Sequence, residues 1–161
     1  MTRISTARAR QLGLMSDGKK ERKKCHKNMP EPMPTNARWN VEKLDTWTVI
    51  TIPGELPSLN VWKQWHWAKY QEKLQELSNN LKLTALAFKV RKFHRPRVQV
   101  VYYFRTKRRR DPDNYAPKFI LDALRYAGVI AEDNSEILEL LPVEFEVDSV
   151  SPRVEVWVKE R

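Results

Sequence analysis

Residues 97–128 read RVQVVYYFRTKRRRDPDNYAPKFILDALRYAG, and the pattern changes twice inside them. In RVQVVYYF (97–104), Val98, Val100 and Tyr102 alternate with Gln99, Val101 and Tyr103, the two-residue period of a mostly apolar strand. Asp111 to Tyr115 predict a loop, with a proline and an asparagine among five residues. From about Ala116 to Ala127, Phe119, Ile120, Ala123, Leu124 and Ala127 recur at helical spacing, Pro117 is tolerable in a first helical turn, and Gly128 is a suitable terminator. The opposite side of this helix carries Lys118, Asp122 and Arg125, at i, i+4 and i+7.

Outward from this strand, loop and helix, the same logic extends in both directions. TWTVITI (46–52) alternates around β-branched residues and predicts a strand ended by Pro53, Gly54 and Pro57. Val61 to Phe88 predicts a long helix, with Trp62, Trp65, Leu74, Leu77, Leu81 and Ala85 at helical spacings and a break near Ser78-Asn79-Asn80. After the loop EDNS (132–135) two strands are expected, over roughly 136–147 and 152–159. The order strand, helix, strand, helix, strand, strand predicts an α/β (α+β) domain over residues 46–161, with two main helices packed on a mixed β-sheet. Residues 1–40 are rich in Lys, Arg, Asn, Met and Pro and lack a sustained apolar period, so they predict a basic, disordered tail with a short helix near residues 4–12.

The formal charge of +10 over 161 residues is unevenly placed. Residues 1–40 carry a net +7 and residues 41–90 a net +1. Residues 91–110 hold nine cations and no acid, whereas residues 111–161 hold five cations against twelve acids. A basic block therefore meets an acidic one inside RRRDPDN (108–114). A basic patch is the electrostatic footprint of a polyanion partner, and a solvated face is the plainer alternative. No stretch approaches the roughly 18 uninterrupted apolar residues of a membrane helix, and the start of the chain lacks the apolar core, about 7–15 residues long, of a secretory signal. With Cys25 as the single cysteine, the expectation is a cytoplasmic protein with no membrane partner. Cys25 and His26 lack neighbours for the roughly four ligands of a zinc site and read as part of a solvated tail.

The acids at the join have a chemistry of their own. Carboxylates are hard oxygen donors, and magnesium prefers an octahedral shell of such oxygens with several retained waters. Asp111 and Asp113 are separated by one proline, so in an extended conformation both side chains project to one side, where they can clamp a cation. A third donor must come from elsewhere: Asp133 is the best candidate, Glu132 the next. Asp111, Asp113 and Asp122 also occupy positions 1, 3 and 12 of a calcium-binding loop, but Ala116 stands where that loop needs glycine and Pro117 starts a helix inside it. Asp113 or Asn114 can in addition cap the helix. The cations Lys107, Arg108, Arg109 and Arg110 can hold phosphates beside the carboxylates. Lys118 is placed to neutralise charge developing on a phosphate or to assist the leaving oxygen, and an ion pair with Asp122 is compatible with either role.

Taken together, RRRDPDNYAPKFILDALRYAGVIAEDNSEI (108–137) and IPGELPSLNVWKQWHWAK (52–69) resemble the RusA family of Holliday junction resolvases, found in bacteria and their phages. The resemblance spans about residues 47–159. It implies a RusA-like homodimer and a magnesium-dependent endonuclease, manganese being able to substitute, that nicks two strands symmetrically across a four-way DNA junction. It further implies that Asp111, Asp113 and Asp133 are the metal ligands, that Lys118 is the catalytic lysine, and that Asn60 lies in the loop near the DNA. Two departures stand out: Lys118 follows Asp113 by five residues where some members have four, and Asn134 stands where a second acid is common. The basic tail has no counterpart in the resemblance.

Trp62, Trp65, His66, Trp67 and Tyr70 interleave with Lys63 and Lys69. Aromatics beside cations can stack on unpaired bases, but Trp62 and Trp65 read better as core or dimer-interface residues. His66 and Lys69 are the better candidates for phosphate contact, and His94 belongs with the basic patch. Two rival readings keep the same residues: a non-catalytic basic DNA-binding module, with the acids serving as caps, and an interaction protein whose acidic portion meets the basic block of another copy.

Overall fold

Valine at every second position makes the centre of the sheet. Val154, Val156 and Val158 in β6 (Arg153–Glu160) alternate with charged and aromatic residues, and all three are buried. In this computed structural model residues 36–161 are described, and all of them belong to one compact unit. The predicted tail, its short helix and the Cys25-His26 pair lie outside the described residues, apart from residues 36–40.

The sheet runs β1 (Asn40–Leu44), β2 (Trp47–Pro53), β6, β3 (Pro96–Phe104), β4 (Glu139–Leu140), and β5 (Glu144–Val147) also pairs with β3. Pairings through β1, β2, β6 and β3 are antiparallel, whereas β4 and β5 run parallel to β3. Register sets Ile50, Val156 and Val100 side by side across the three central strands, each at most 1% exposed. The residues of this parity share one core with the two main helices, so the helices cover one face of a mixed sheet, as the order of elements predicts.

Several boundaries differ from the expectations. β1 was not foreseen, since the strand pattern becomes plain only at Thr46; yet Asn40 pairs with Thr51, and Trp39 and Val41 pack on the core, so the folded part starts ahead of residue 46. The long helix is two: α1 (Leu59–Trp62) ends at Lys63, and α2 (Trp67–Ala87) starts afresh with His66 as its N-cap, Nδ1 accepting from the Ala68 amide at 3.3 Å. The expected break at Ser78-Asn79-Asn80 is absent. There the Ser78 hydroxyl donates to the Leu74 carbonyl at 2.6 Å, and the Gln75 amide donates to the Asn79 side chain at 2.9 Å, so these polar groups find partners inside the helix. Downstream, the single strand expected over 136–147 is the two short pieces β4 and β5, separated at Pro142, which cannot donate to a ladder.

The helix of the opening stretch, α3 (Lys118–Tyr126), is shorter than predicted. Pro117 is its N-cap residue, and the Pro117 carbonyl accepts from the Ile120 and Leu121 amides, each at 2.9 Å. α3 packs against α2 and buries Phe119, Ile120, Leu121, Ala123 and Leu124. Asp122, expected on its open side, is buried with them at 8% exposure. Among the described residues no helix is long and apolar enough to cross a membrane.

Candidate functional site

The end of β3 is anchored on both sides before the charged loop begins. The Arg105 amide donates to Glu55 Oε1 at 2.8 Å, tying the exit of β3 to the loop after β2. Tyr102 donates its hydroxyl to the Tyr115 carbonyl at 3.1 Å. The Tyr115 ring meets Tyr102, Phe104 and Phe145 edge-on, with centroids 5.4, 5.1 and 5.4 Å away. Burial holds the Tyr102 phenol far above the ordinary tyrosine range, the neighbouring Tyr115 adding to the shift. The acidic segment is therefore not a plain loop: Pro112–Tyr115 form a 3-10 turn seated on an aromatic platform, with α1 lying against it.

That turn changes how the two acids relate. Asp111 keeps an extended backbone (φ −94°, ψ 125°), whereas Asp113 lies inside the turn. The alternation that would project both carboxylates to one side is lost, because a 3-10 turn advances about three residues per revolution. Both residues are exposed, and neither side chain has a hydrogen-bond or ion-pair partner among the described residues. Lys107, Arg108 and Arg109 are equally exposed and form no ion pair there either. Arg110 differs: its guanidinium lies 3.6 Å from the Phe104 ring centroid and donates to the carbonyls of Thr106 at 3.0 Å and Arg108 at 3.2 Å. It braces the loop from inside. Opposite charges that adjoin in sequence thus stay unpaired in space.

Along α3 the charges are paired. Lys118 Nζ lies 3.2 Å from Asp122 Oδ2 and 3.4 Å from Oδ1, and Tyr70 of α2 donates its hydroxyl to Oδ2 at 3.3 Å. Burial, and after it the Asp122 charge, push the Tyr70 phenol up to about 12. Tyr70 packs on Phe119 and Trp62, each 5.5 Å between centroids, and Trp65 meets Phe119 at 6.4 Å. Trp62 and Trp65 are therefore half-buried, packed on Tyr70 and Phe119 at the edge of the core. One helical turn on, Arg125 Nε stands 3.5 Å from Asp133 Oδ1. Glu132 is exposed, and Asn134 caps the next turn, its Oδ1 accepting from the Glu136 and Ile137 amides at 3.1 Å each.

The remaining candidates are distributed around this core. Asn60 is exposed on α1, beside the acidic turn. His66 has its Nδ1 engaged as a helix cap, and Lys69 Nζ lies 5.4 Å from the Trp65 ring centroid. The Tyr70–Asp122 bond was not read from the sequence, since its partners are 52 residues apart; the apolar neighbours of Asp122 in FILDAL were the available signal of its burial.

Among the described residues, no three His, Cys, Asp or Glu side chains are gathered into a group that could hold a metal ion. Asp111, Asp113 and Asp133 do not form a ready cage. Magnesium, however, is commonly held by one or two carboxylates together with substrate phosphates and water. Two exposed, unpartnered carboxylates beside three exposed cations fit that shared mode of binding.

No family model matches the chain, and no curated protein matches it. Among solved structures it is similar to the periplasmic domain of Helicobacter pylori MotB (residues 90–256), at 14% identity over 74% of this chain and 78% of that one, with a TM-score of 0.36. So loose a likeness carries no argument about function.

Proposed function

We propose that this chain is a magnesium-dependent endodeoxyribonuclease of the RusA type, resolving four-way DNA junctions by symmetric paired nicks. The observation that carries this reading is the unpaired charge at the end of β3: exposed Lys107, Arg108 and Arg109 run into exposed Asp111 and Asp113, with no ion pair between them. Adjacent opposite charges that ignore each other remain available for outside partners, here phosphate for the cations and a divalent cation for the acids. Asp111 and Asp113 would hold magnesium, or manganese in its place, with Asp133 as the third ligand that the resemblance implies. Such an ion, when bound, supplies Lewis-acid polarisation of the phosphoryl group and a water of lowered pKa. Lys118, 64% exposed at its side chain, offers positive charge at the start of α3 for a phosphate oxygen. Asp122 holds the lysine from below, and Tyr70 holds Asp122. Two equivalent cuts call for two sites related by a twofold axis, hence a homodimer. The setting is the cytoplasm of a bacterium or of a phage's bacterial host.

The test is incubation of the full chain with a synthetic four-way junction and with linear duplex, with and without magnesium. Preferential, magnesium-dependent nicking of the junction is expected, and Asp113→Asn should bind the junction but leave it intact. Equal cutting by that variant would remove Asp113 from the site.

A second reading, a non-catalytic basic DNA-binding module, is favoured by one observation: Asp133 is engaged by Arg125 rather than gathered with Asp111 and Asp113. It predicts salt-sensitive binding that magnesium leaves unchanged, and no cleavage with any divalent cation.

A further inference from the structure

Of the six tryptophans, Trp67 is the one left in solvent. Trp39 packs on the core, and Trp47 and Trp157 meet edge-on with centroids 6.3 Å apart. Trp62 lies against Tyr70 and Trp65 against Phe119. Trp67, by contrast, is 72% exposed, and among the described residues its ring has neither a ring nor a cation partner. The neighbouring cation Lys69 lies over the Trp65 ring instead. A packed aromatic side chain buries roughly 150–250 Å², so one held in water forgoes that stabilisation unless a partner covers it. The backbone beneath it is nonetheless ordered: Trp67 is the first residue of α2, His66 caps the helix, and the Tyr70 amide donates to the His66 carbonyl at 3.1 Å. Trp65 and Tyr70, on either side of it in sequence, both pack on Phe119, the residue after Lys118. The turn that carries the exposed indole is thus anchored next to the lysine of the site.

We infer that Trp67 stacks on an unpaired base, and that through this contact the protein recognises the branch point of its DNA rather than the duplex arms. The inference deepens the junction-resolving function proposed above and rests on it. In a duplex arm each base already has stacked neighbours on both sides, so an indole gains little there. At a branch point the stack is interrupted, and an uncovered base face offers the indole a partner of matching size and chemistry. An indole has only two rotatable bonds, so one presented from an ordered helix start loses little conformational freedom on binding. The labour then divides between two parts of the surface. Lys107, Arg108 and Arg109, exposed and unpaired, provide attraction for any DNA, and Trp67 provides the preference for the branched form.

The experiment is binding of the full chain, in EDTA so that no strand is cut, to a four-way junction with a fluorescent aminopurine at the branch point and to linear duplex with the same label. Trp67→Ala should weaken junction binding about fivefold to a hundredfold and leave duplex binding unchanged. The slope of log Kobs against log salt should not move, since stacking releases no counterions. Trp67→Phe keeps an aromatic face and should recover most of the loss. Wild type should quench the aminopurine at the branch point, and Trp67→Ala should not. Thermal melts should coincide for all three proteins, because the side chain is exposed. If wild type prefers the junction and Trp67→Ala keeps both the preference and the quenching, the stacking role is refuted and the junction reading stands. If wild type binds junction and duplex alike, the junction reading fails and the role of Trp67 fails with it. A smaller assembly for Trp67→Ala than for wild type in sedimentation without DNA would assign the indole to a contact between copies and overturn base stacking.

Discussion

Tyr70, in α2, donates its hydroxyl to Asp122, in α3, across 3.3 Å, and this one bond fixes the carboxylate that holds Lys118. It joins the only two long helices among the described residues at the point where the lysine leaves the surface. A helix-to-helix polar contact thereby becomes part of the site.

Tyr70→Phe keeps the ring packing and deletes the bond, so a loss of about 1 kcal/mol is expected at neutral pH. The pH dependence has a definite sign. The Tyr70 phenol is raised from 10.0 to about 12 in the fold, so its contribution is fully present below pH 10.0 and is lost as pH rises through about 12. Urea unfolding should thus separate wild type from Tyr70→Phe at pH 8, and the gap should close between pH 10 and 12. A gap that persists unchanged at the alkaline end would mean that the phenol is neither buried nor placed beside Asp122 as described.

The acidic turn depends on Tyr102 in the same manner. Tyr102→Phe leaves the aromatic platform in place but removes the bond to the Tyr115 carbonyl, one of the contacts that hold the 3-10 turn against β3. A stability loss of about 1 kcal/mol is expected, with a larger proportional fall in junction cleavage, because Asp113 rides on the turn. Limited proteolysis should cut the variant faster between residues 106 and 116. An unchanged digestion pattern alongside unchanged cleavage would show that the rings alone position the turn.

Much of the fold was legible because alternation in the strands is strong. Val98, Val100 and Tyr102 lie on one buried face, as their spacing indicates, and the helices carry the apolar residues expected of them. What escaped were features decided by distant partners. β1 reads as polar because its residues Glu42 and Lys43 are exposed, and only pairing with β2 makes it a strand. The polar triplet 78–80 looked like a helix break because an isolated sequence does not show that Ser78 can bond back to Leu74. At the site, Arg108, Arg109, Asp111 and Asp113 are exposed and unpaired while Arg110 is engaged by Phe104 and two carbonyls, and the two acids lose their common side because Pro112 opens a 3-10 turn instead of continuing an extended chain. The Arg125–Asp133 contact could not be foreseen, since it needs the chain to reverse at Gly128, where φ is 77°.

Acid should loosen the loop before β6. Asp148 accepts from the Ser151 amide at 2.8 Å and from Arg153 Nη1 at 2.7 Å, and these bonds hold its carboxyl below the ordinary aspartate range. A lowered value means that the contribution is present above the ordinary aspartate pKa and fades as pH falls through the native one. Asp148→Asn should accordingly show a flatter loss of stability than wild type as pH is lowered from 5 to 2, read from urea midpoints at each pH. Parallel curves for the two proteins would assign the acid sensitivity to other carboxylates, Glu139 being the next lowered one through its 2.8 Å bond to Arg97.

The cations before Asp111 divide into two roles that DNA binding can tell apart. Lys107, Arg108 and Arg109 are exposed and unpaired, so each is free to neutralise a phosphate, whereas Arg110 is occupied by the Phe104 ring and two carbonyls. Each phosphate neutralised on duplex DNA contributes about −0.9 to the slope of log Kobs against log salt. Replacing Lys107, Arg108 and Arg109 together by alanine should therefore flatten the slope by about 2.7, with little change in melting temperature. Arg110→Ala should do the reverse: it leaves the slope nearly unchanged, lowers the melting temperature, and slows cleavage by releasing the loop that carries Asp111. A flattened slope from Arg110→Ala, or none from the triple variant, would place the phosphate track somewhere other than the end of β3.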